Sequence, residues 1–370
     1  MSNYNIAVLA GDGIGPETTT EALKAADAAI AAIGGVSLNY SHLDSSAQRW
    51  VDTGVAMTDE QYEECKAADA IYMGAIGLPE ARHPDGREVN GDVIFRLRFG
   101  LDLFAGIRPI RTLPGVPATL VNGENIDYVV VRENVEGLYA SRTGGTNVRG
   151  EVATDTIVIT KVGTEKVVRQ AFDLARARHA KNPSRPAKVT CVDKANVLSS
   201  YAFFRSVFDS VADEYPDVER DYAYVDAMTA YQVQRPQRYD VMVAENMFGD
   251  IISDLAAATV GGLGLSGSGD VGNDHGLFQS SHGSAPDIAG QGIANPVAAI
   301  LSAGIMLDWL GRRNNDDAAI KAGQLIEDAV SLALTDEANR TPDLNGTTNT
   351  VGVGDAVVRA IESIAAGASA

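Results

Sequence analysis

The sequence predicts an α/β protein built on a largely parallel sheet, and three observations carry that expectation. Short apolar runs suited to buried parallel strands recur along the chain, helical patterns separate many of them, and the first unit passes directly from strand to glycine turn to helix. In that unit Ile6-Ala7-Val8-Leu9-Ala10 is apolar throughout, as a strand covered on both faces must be. Gly11 to Gly15 makes the turn, and Pro16 sits at a first helical position, where its missing N–H costs nothing. Leu23, Ala26, Ile30 and Ile33 then recur at helical spacing until Gly34-Gly35 stops the helix.

Further strand-like runs are Ala70–Met73, Tyr128–Val131, Val189–Val192 and Val241–Ala244, with Glu165–Arg178 and Ser199–Ala212 reading as helices between them. Ser141–Val158 differs: glycines, threonines and alternating β-branched residues predict an antiparallel excursion. Gly261–Gly276 holds seven glycines (261, 262, 264, 267, 269, 272 and 276) and reads either as a flexible surface loop or as a backbone wall close to a ligand. Ala365–Ala370 reads as a frayed end.

The 370 residues suffice for two domains or one large one with a sizeable core. A balance of 30 Lys+Arg against 49 Asp+Glu, net −19, argues against a protein that binds nucleic acid or an anionic membrane by charge. The richest apolar stretch, Pro296–Leu307, is too short and alanine-rich to span a bilayer. The amino-terminal residues lack a basic segment followed by a long apolar one, so no secretory signal is expected. Two cysteines, Cys65 and Cys191, cannot make a disulfide framework, and the cytoplasm is the expected location.

Gly11-Asp12-Gly13-Ile14-Gly15-Pro16 nearly spells a dinucleotide fingerprint but fails at Pro16, which predicts a ligand-facing turn outside a Rossmann fold. Asp250 and Asp254 are spaced i, i+4 near a helix start. They could simply favour the helix N-terminus, or they could offer two oxygen ligands to Mg²⁺ or Mn²⁺. Arg98, Arg108 and Arg132 are the candidate anion holders, Arg132 because it closes an otherwise apolar strand; an ion pair with a nearby acid is the plainer alternative. Lys194 also stands at a carboxyl-terminal strand end, where parallel sheets bind ligands and where a depressed pKa would make it a general base.

These pieces, in this order, resemble the β-decarboxylating dehydrogenases, the family of isopropylmalate, isocitrate, homoisocitrate, tartrate and D-malate dehydrogenases. The resemblance runs nearly end to end through LAGDGIGPE (9–17), LRFGLDLFAGIRP (97–109), VVRENVEGLYA (130–140), VDKANVL (192–198), YVDAM (224–228), NMFGDIISDLA (246–256) and HGSAPDIAGQGIANP (282–296). It implies an isopropylmalate-dehydrogenase-like fold with two α/β domains. Residues 1–103 with 261–370 would bind the cofactor, and residues 104–260 would bind substrate and metal and dimerise.

The reaction implied is oxidation of a 2-hydroxy acid by NAD⁺ followed by loss of its 3-carboxylate as CO₂. Arg98, Arg108 and Arg132 would hold the dicarboxylate substrate, while Asp250, Asp254 and Asp226 from the other subunit of a homodimer would bind Mg²⁺ or Mn²⁺, Asp226 also facing substrate. Lys194, donated across the dimer, would take the hydroxyl proton, and Tyr139, its pKa lowered by a nearby cation, would protonate the enol. Gly13, Ile14, Asn196, His282, Gly283, Ser284, Ala285, Asp287, Ile288 and Asn295 would bind the cofactor. Asp287-Ile288 replaces the Lys-Tyr of NADP-preferring members, which implies NAD⁺.

Two departures bear on the site. Gln279 stands where the family commonly has Glu, and the substrate-selecting helix carries Gly91 where isopropylmalate enzymes have an acid. Ile94 and Phe95 would give the pocket an apolar wall suited to 3-isopropylmalate or another 3-alkylmalate, with Arg96 facing solvent. D-malate or tartrate, a homoisocitrate- or phosphonomethylmalate-type substrate, and a non-catalytic regulatory subunit are the alternatives.

Overall fold

The computed structural model describes residues 1–142 and 144–368; Thr143, within the expected excursion, and Ser369 and Ala370, at the end of the expected frayed tail, lie outside the described residues. The amino-terminal part runs β1 (Ser2–Leu9), α1 (Gly15–Ile33), β2 (Val36–His42), α2 (Ala47–Thr53), α3 (Asp59–Ala67), β3 (Ala70–Met73) and α4 (Asn90–Gly100). The middle begins with β4 (Ala105–Arg111), β5 (Asp127–Glu133), β6 (Thr146–Val148), β7 (Val152–Thr154), α5 (Lys161–Lys181) and β8 (Lys188–Asp193). It continues with α6 (Ser199–Ala212), β9 (Glu219–Tyr224), α7 (Val225–Gln234), β10 (Val241–Ala244) and α8 (Asn246–Thr259). Then follow β11 (Gly267–Val271), β12 (Gly276–Ser280), α9 (Val297–Asn314), α10 (Asp317–Ala333) and α11 (Thr350–Ala368). Among the described residues no helix is long and apolar enough to cross a membrane.

The sheet is largely parallel, as the sequence predicts. Its ten strands lie in the order β2-β1-β3-β12-β11-β4-β5-β10-β8-β9, and the excursion is the separate hairpin β6-β7. The strands β2, β1, β3 and β12 run parallel to one another, as do β5, β10, β8 and β9. Between these groups β11 and β4 are antiparallel to each other and to their outer neighbours, so the two parallel halves point in opposite directions. The glycine-rich stretch is neither of its two expected forms at its centre: Gly267–Val271 is the buried strand β11. A Cβ on Gly267 would stand 2.9 Å from that of Leu301, so glycine there lets α9 lie against the strand.

Each face of the sheet has its own core. On one face a continuous apolar layer joins Val8, Tyr72, Phe278, Val131 and Val243 to α1, α5, α6, α9 and α10. The other face has two separate layers, one around Leu9, Ile71, Leu277 and Leu97 of α4, the other around Val130, Val192, Met242 and Ile252 of α8. Side chains alternate along a strand, so the pattern that sends Val129 and Val131 to the continuous face sends Val130 and Arg132 to the divided one. Asp270 of β11, Gly106 of β4 and Arg132 of β5 form one row across the sheet. The charged groups thus lie where the divided face has no apolar cover.

Candidate active site

Burying a guanidinium costs several kcal/mol unless it finds partners, so the three buried arginines have to be accounted for one at a time. Arg98, near the end of α4, donates from Nε to Asp270 Oδ2 at 2.8 Å. Arg132 donates from Nε and Nη2 to Asn246 Oδ1 at 3.2 and 2.8 Å and pairs through Nη1 with Asp250. Gly249 makes this approach possible, since a Cβ there would lie 2.7 Å from Arg132 Cγ. Arg108 Nε is buried and has no partner. Burial and the neighbouring Arg98 and Arg108 pull Arg132 below its ordinary pKa, against Asp250. A crowd of cations with an unfilled donor is a site for an anion.

Glu245 caps α8 by accepting from the backbone N–H groups of Met247 and Phe248 at 3.2 and 3.4 Å. That start presents Asp250 and Asp254 one turn apart. Asp250 Oδ2 accepts from the Tyr139 hydroxyl at 3.0 Å. Asp254 has no hydrogen bond or ion pair among the described residues, and burial together with Asp250 pushes its carboxyl upward, against Arg108 and Arg132. Two carboxylates so spaced, one without a protein partner, suit a hard divalent cation. Tyr139 corrects one expectation: burial first, then Asp250, raises its pKa, and Arg132 does not reverse the shift.

Phe95 and Ile94 part company. The Phe95 ring meets the Tyr139 ring edge-on at 6.0 Å and stacks on Phe99 at 5.7 Å. Arg142 covers Phe95 and Phe99 at 4.5 and 5.0 Å. Ile94 is half-buried against the apolar layer beneath α4. Arg96 turns away, donating to Met57 O at 3.0 Å and pairing with Asp59.

Lys194, just past the end of β8, and Asp226, in the first turn of α7, are brought to each other and to neither Asp250 nor Asp254. Lys194 Nζ lies 2.6 Å from Asp226 Oδ1, and this hydrogen bond holds the carboxyl below its usual range. Among the described residues no group of three or more His, Cys, Asp or Glu side chains could hold a metal ion. Lys194 Nζ lies 5.9 Å from the centroid of the exposed Tyr224 ring, and Asn196, Val197 and Leu198, next along the chain, are exposed as well.

The Gly11–Gly15 turn locks against the 282–295 segment. Ile14 N donates to Ser284 O at 2.8 Å, and Ser284 Oγ donates to Gly77 O. A Cβ on Gly13 would stand 2.0 Å from Ser284 O, so only glycine fits, at φ +59°. His282 Nδ1 lies 2.9 Å from Gly283 O, while its Nε2 is buried without a partner, which fits a ligand group at that point. Burial also holds this imidazole below its ordinary pKa. Gly283 and Asp287 are exposed and Ala285 and Ile288 partly so, whereas Asn295 donates to Asp343 Oδ2 at 3.0 Å.

Sequence reasoning missed the groups that support these residues. Asp12, hidden in the failed fingerprint, accepts from the backbone N–H groups of Ala47, Gln48 and Gly77 at 2.8, 2.9 and 2.9 Å, tying the turn to α2. Asn246, Asn134 and Asp270 were equally silent, since their partners come from distant strands and helices.

Fold and site together define a decarboxylating dehydrogenase, an enzyme. The pattern of the isocitrate/isopropylmalate dehydrogenase family matches residues 5–357, and the chain belongs to that family. It is 40% identical over 359 residues to the 3-isopropylmalate/3-methylmalate dehydrogenase of Methanocaldococcus jannaschii, covering 97% of this chain and 99% of that one. It is 44% identical over 339 residues to the 3-isopropylmalate dehydrogenase of Streptomyces coelicolor, covering 90% and 92%. Isocitrate dehydrogenase from Methylococcus capsulatus superposes with a TM-score of 0.84 at 35% identity, covering 97% of this chain and 99% of that one. A β-decarboxylating dehydrogenase from Thermococcus kodakarensis gives 0.76 at 35% identity, covering 97% and 96%.

Proposed function

We propose that the enzyme oxidatively decarboxylates a 3-alkylmalate, foremost 3-isopropylmalate, using NAD⁺ and Mg²⁺ or Mn²⁺. The observation that carries this reading is the junction of the arginine cluster with Asp250, Tyr139 and the Phe95 ring. Arg98, Arg108 and Arg132 orient the two substrate carboxylates through charge-assisted hydrogen bonds. Asp250, Asp254 and the partner subunit's Asp226 would hold a divalent cation, which would supply charge stabilisation to the reacting substrate. The 11–15 turn and the 282–295 segment, with the unpartnered His282 Nε2, would hold NAD⁺, which would supply the hydride acceptor. The partner subunit's Lys194 takes the hydroxyl proton, and Tyr139 hands a proton to C3 after CO₂ leaves.

A homodimer is part of this proposal, because Lys194 and Asp226 pair near the surface beside the exposed side chains of Val197, Leu198 and Tyr224. The division into residues 1–103 with 261–370 and 104–260 is proposed on the same footing: its seam falls between β11 and β4, where the parallel halves change direction. The assay that tests the reading follows NADH formation with 3-isopropylmalate, D-malate, tartrate, homoisocitrate and isocitrate under each metal. Fastest turnover of a 3-alkylmalate is expected, and a preference for isocitrate counts against it.

Two variants refine the picture. A methylene buried against an apolar wall gains about 0.8 kcal/mol, so if Phe95→Ala uncovers about two carbons of the isopropyl group it should lower kcat/KM for 3-isopropylmalate about tenfold more than for D-malate. Equal losses on both would remove Phe95 from the substrate wall. Asp287 is exposed in the cofactor segment, and a carboxylate facing a 2′-phosphate costs about 1–3 kcal/mol. The wild type should therefore favour NAD⁺ over NADP⁺ about fivefold or more in kcat/KM, and Asp287→Lys/Ile288→Tyr should narrow that ratio. Equal use of both cofactors by the wild type would refute the assignment.

A further inference from the structure

Asp270 has no exposed surface, yet it faces the substrate side of the sheet in the same cross-strand row as Arg132. Its Oδ2 accepts from Arg98 Nε at 2.8 Å and its Oδ1 from Asn134 Nδ2 at 2.8 Å. Between Asp270 and Arg132 in the row stands Gly106, where a Cβ would come 3.0 Å from the Asn134 amide, so the missing side chain makes room for that contact. The bond to Arg98 uses Nε, which leaves the outer Nη groups for an external anion. A guanidinium gripped from behind in this way has lost its rotational freedom before the substrate arrives.

The fourth member of the cluster is Gln279 on β12, whose Nε2 lies 3.5 Å from Asp270 Oδ2. Gln279 is itself buried, and it occupies the position at which the family commonly carries glutamate. A glutamate there would set two carboxylates side by side in a closed space, with Arg98 as the shared counter-ion, and such a pair cannot be fully ionised. The charged groups that act on this cluster are Arg98 from α4 and Arg108 from β4. Against burial, they hold the Asp270 carboxyl below its usual range.

We propose that Asp270 is a positioning residue that fixes the Arg98 guanidinium for the substrate carboxylate, with Gln279 as its obligatory neutral companion, so that an acid is tolerated at 270 or at 279 but not at both. This rests on the malate reading above. It concerns the binding of substrate rather than the chemistry at C2 or C3, and so it separates KM from kcat.

The test uses Asp270→Asn, Gln279→Glu and the double variant of the whole 370-residue enzyme, with 3-isopropylmalate and D-malate as substrates. Asp270→Asn should raise KM about tenfold or more with kcat within about threefold of wild type. Gln279→Glu should be most active at low pH, where the carboxyl pair shares a proton. It should lose activity as pH rises through the raised pKa of the pair. The double variant should regain a low KM and the wild-type pH profile. A KM for Asp270→Asn within twofold of wild type overturns the proposal, as does a wild-type pH profile for Gln279→Glu or a double variant no better than Gln279→Glu alone. If Asp270→Asn does not fold, the Gln279→Glu and double-variant comparison decides alone. A wild type that oxidises no malate defeats the functional reading. Calorimetric titration with D-malate then applies the same comparison to binding, and the absence of binding by the wild type overturns the proposal as well.

Discussion

Asp250→Asn should lower kcat/KM about 10³-fold while leaving the fold intact, because metal-borne charge stabilisation is worth several kcal/mol and each 1.4 kcal/mol is tenfold. Asp250 is the side chain on which the site converges: Arg132 donates to one oxygen and Tyr139 to the other. Asparagine keeps the shape and removes the charge, so Arg132 loses its counter-ion and the carboxylate pair loses a member. The measurement is steady-state NADH formation over a range of Mg²⁺ and Mn²⁺ concentrations, with circular dichroism as the check on folding. A loss smaller than tenfold, or full recovery at high metal concentration, would take Asp250 out of the metal site.

Mixing Asp250→Asn with Lys194→Met should restore activity that neither variant has alone. Within one chain Lys194 pairs with Asp226, while Tyr139 pairs with Asp250, and the proposed site therefore draws on two chains. In a two-fold dimer the hybrid then has one site with both lesions and one with neither. Random exchange makes half the dimers hybrid, and the mixture should reach about a quarter of wild-type activity. Subunit exchange is verified by native mass spectrometry of differently tagged chains. Verified hybrids with no recovered activity would place Lys194 and Asp250 in sites that do not share chains.

What the sequence made legible was whatever local chemistry writes into a short segment. An arginine closing the run Tyr128–Val131 is visible as out of place, and the i, i+4 spacing of Asp250 and Asp254 marks a shared helix face. Choosing between metal ligands and a favourable helix start needed the wider resemblance. The residue pair Ile94 and Phe95 marks the limit of helical-face arguments: both flank the Arg98 side, and only packing sends Phe95 to Tyr139 and Ile94 against the apolar layer beneath α4. Asp270 was out of reach altogether. Its strand, Gly267–Val271, lacks the β-branched alternation that announces strands, and its partner Arg98 is 172 positions away. The Tyr139 pKa is of the same kind, since Asp250 arrives from a helix that the local sequence around Tyr139 cannot foresee.

The strand order has a bearing on how the chain is made. As synthesis proceeds from the amino terminus, β1, β2 and β3 emerge first and can pair at once, but the free edge of β3 is filled only by β12, at residues 276–280. Until then a hydrogen-bonding edge stays open, and exposed strand edges invite pairing with other chains. In the middle part β4, β5, β10, β8 and β9 are neighbours in the sheet and all lie between residues 105 and 244, so of the edges this set presents to the amino-terminal half only that of β4 waits, for β11 at residues 267–271. The part translated second can therefore complete its own strand set while the part translated first is still waiting, and the strands that carry Arg108 and Arg132 are made well before the one that bears Asp270.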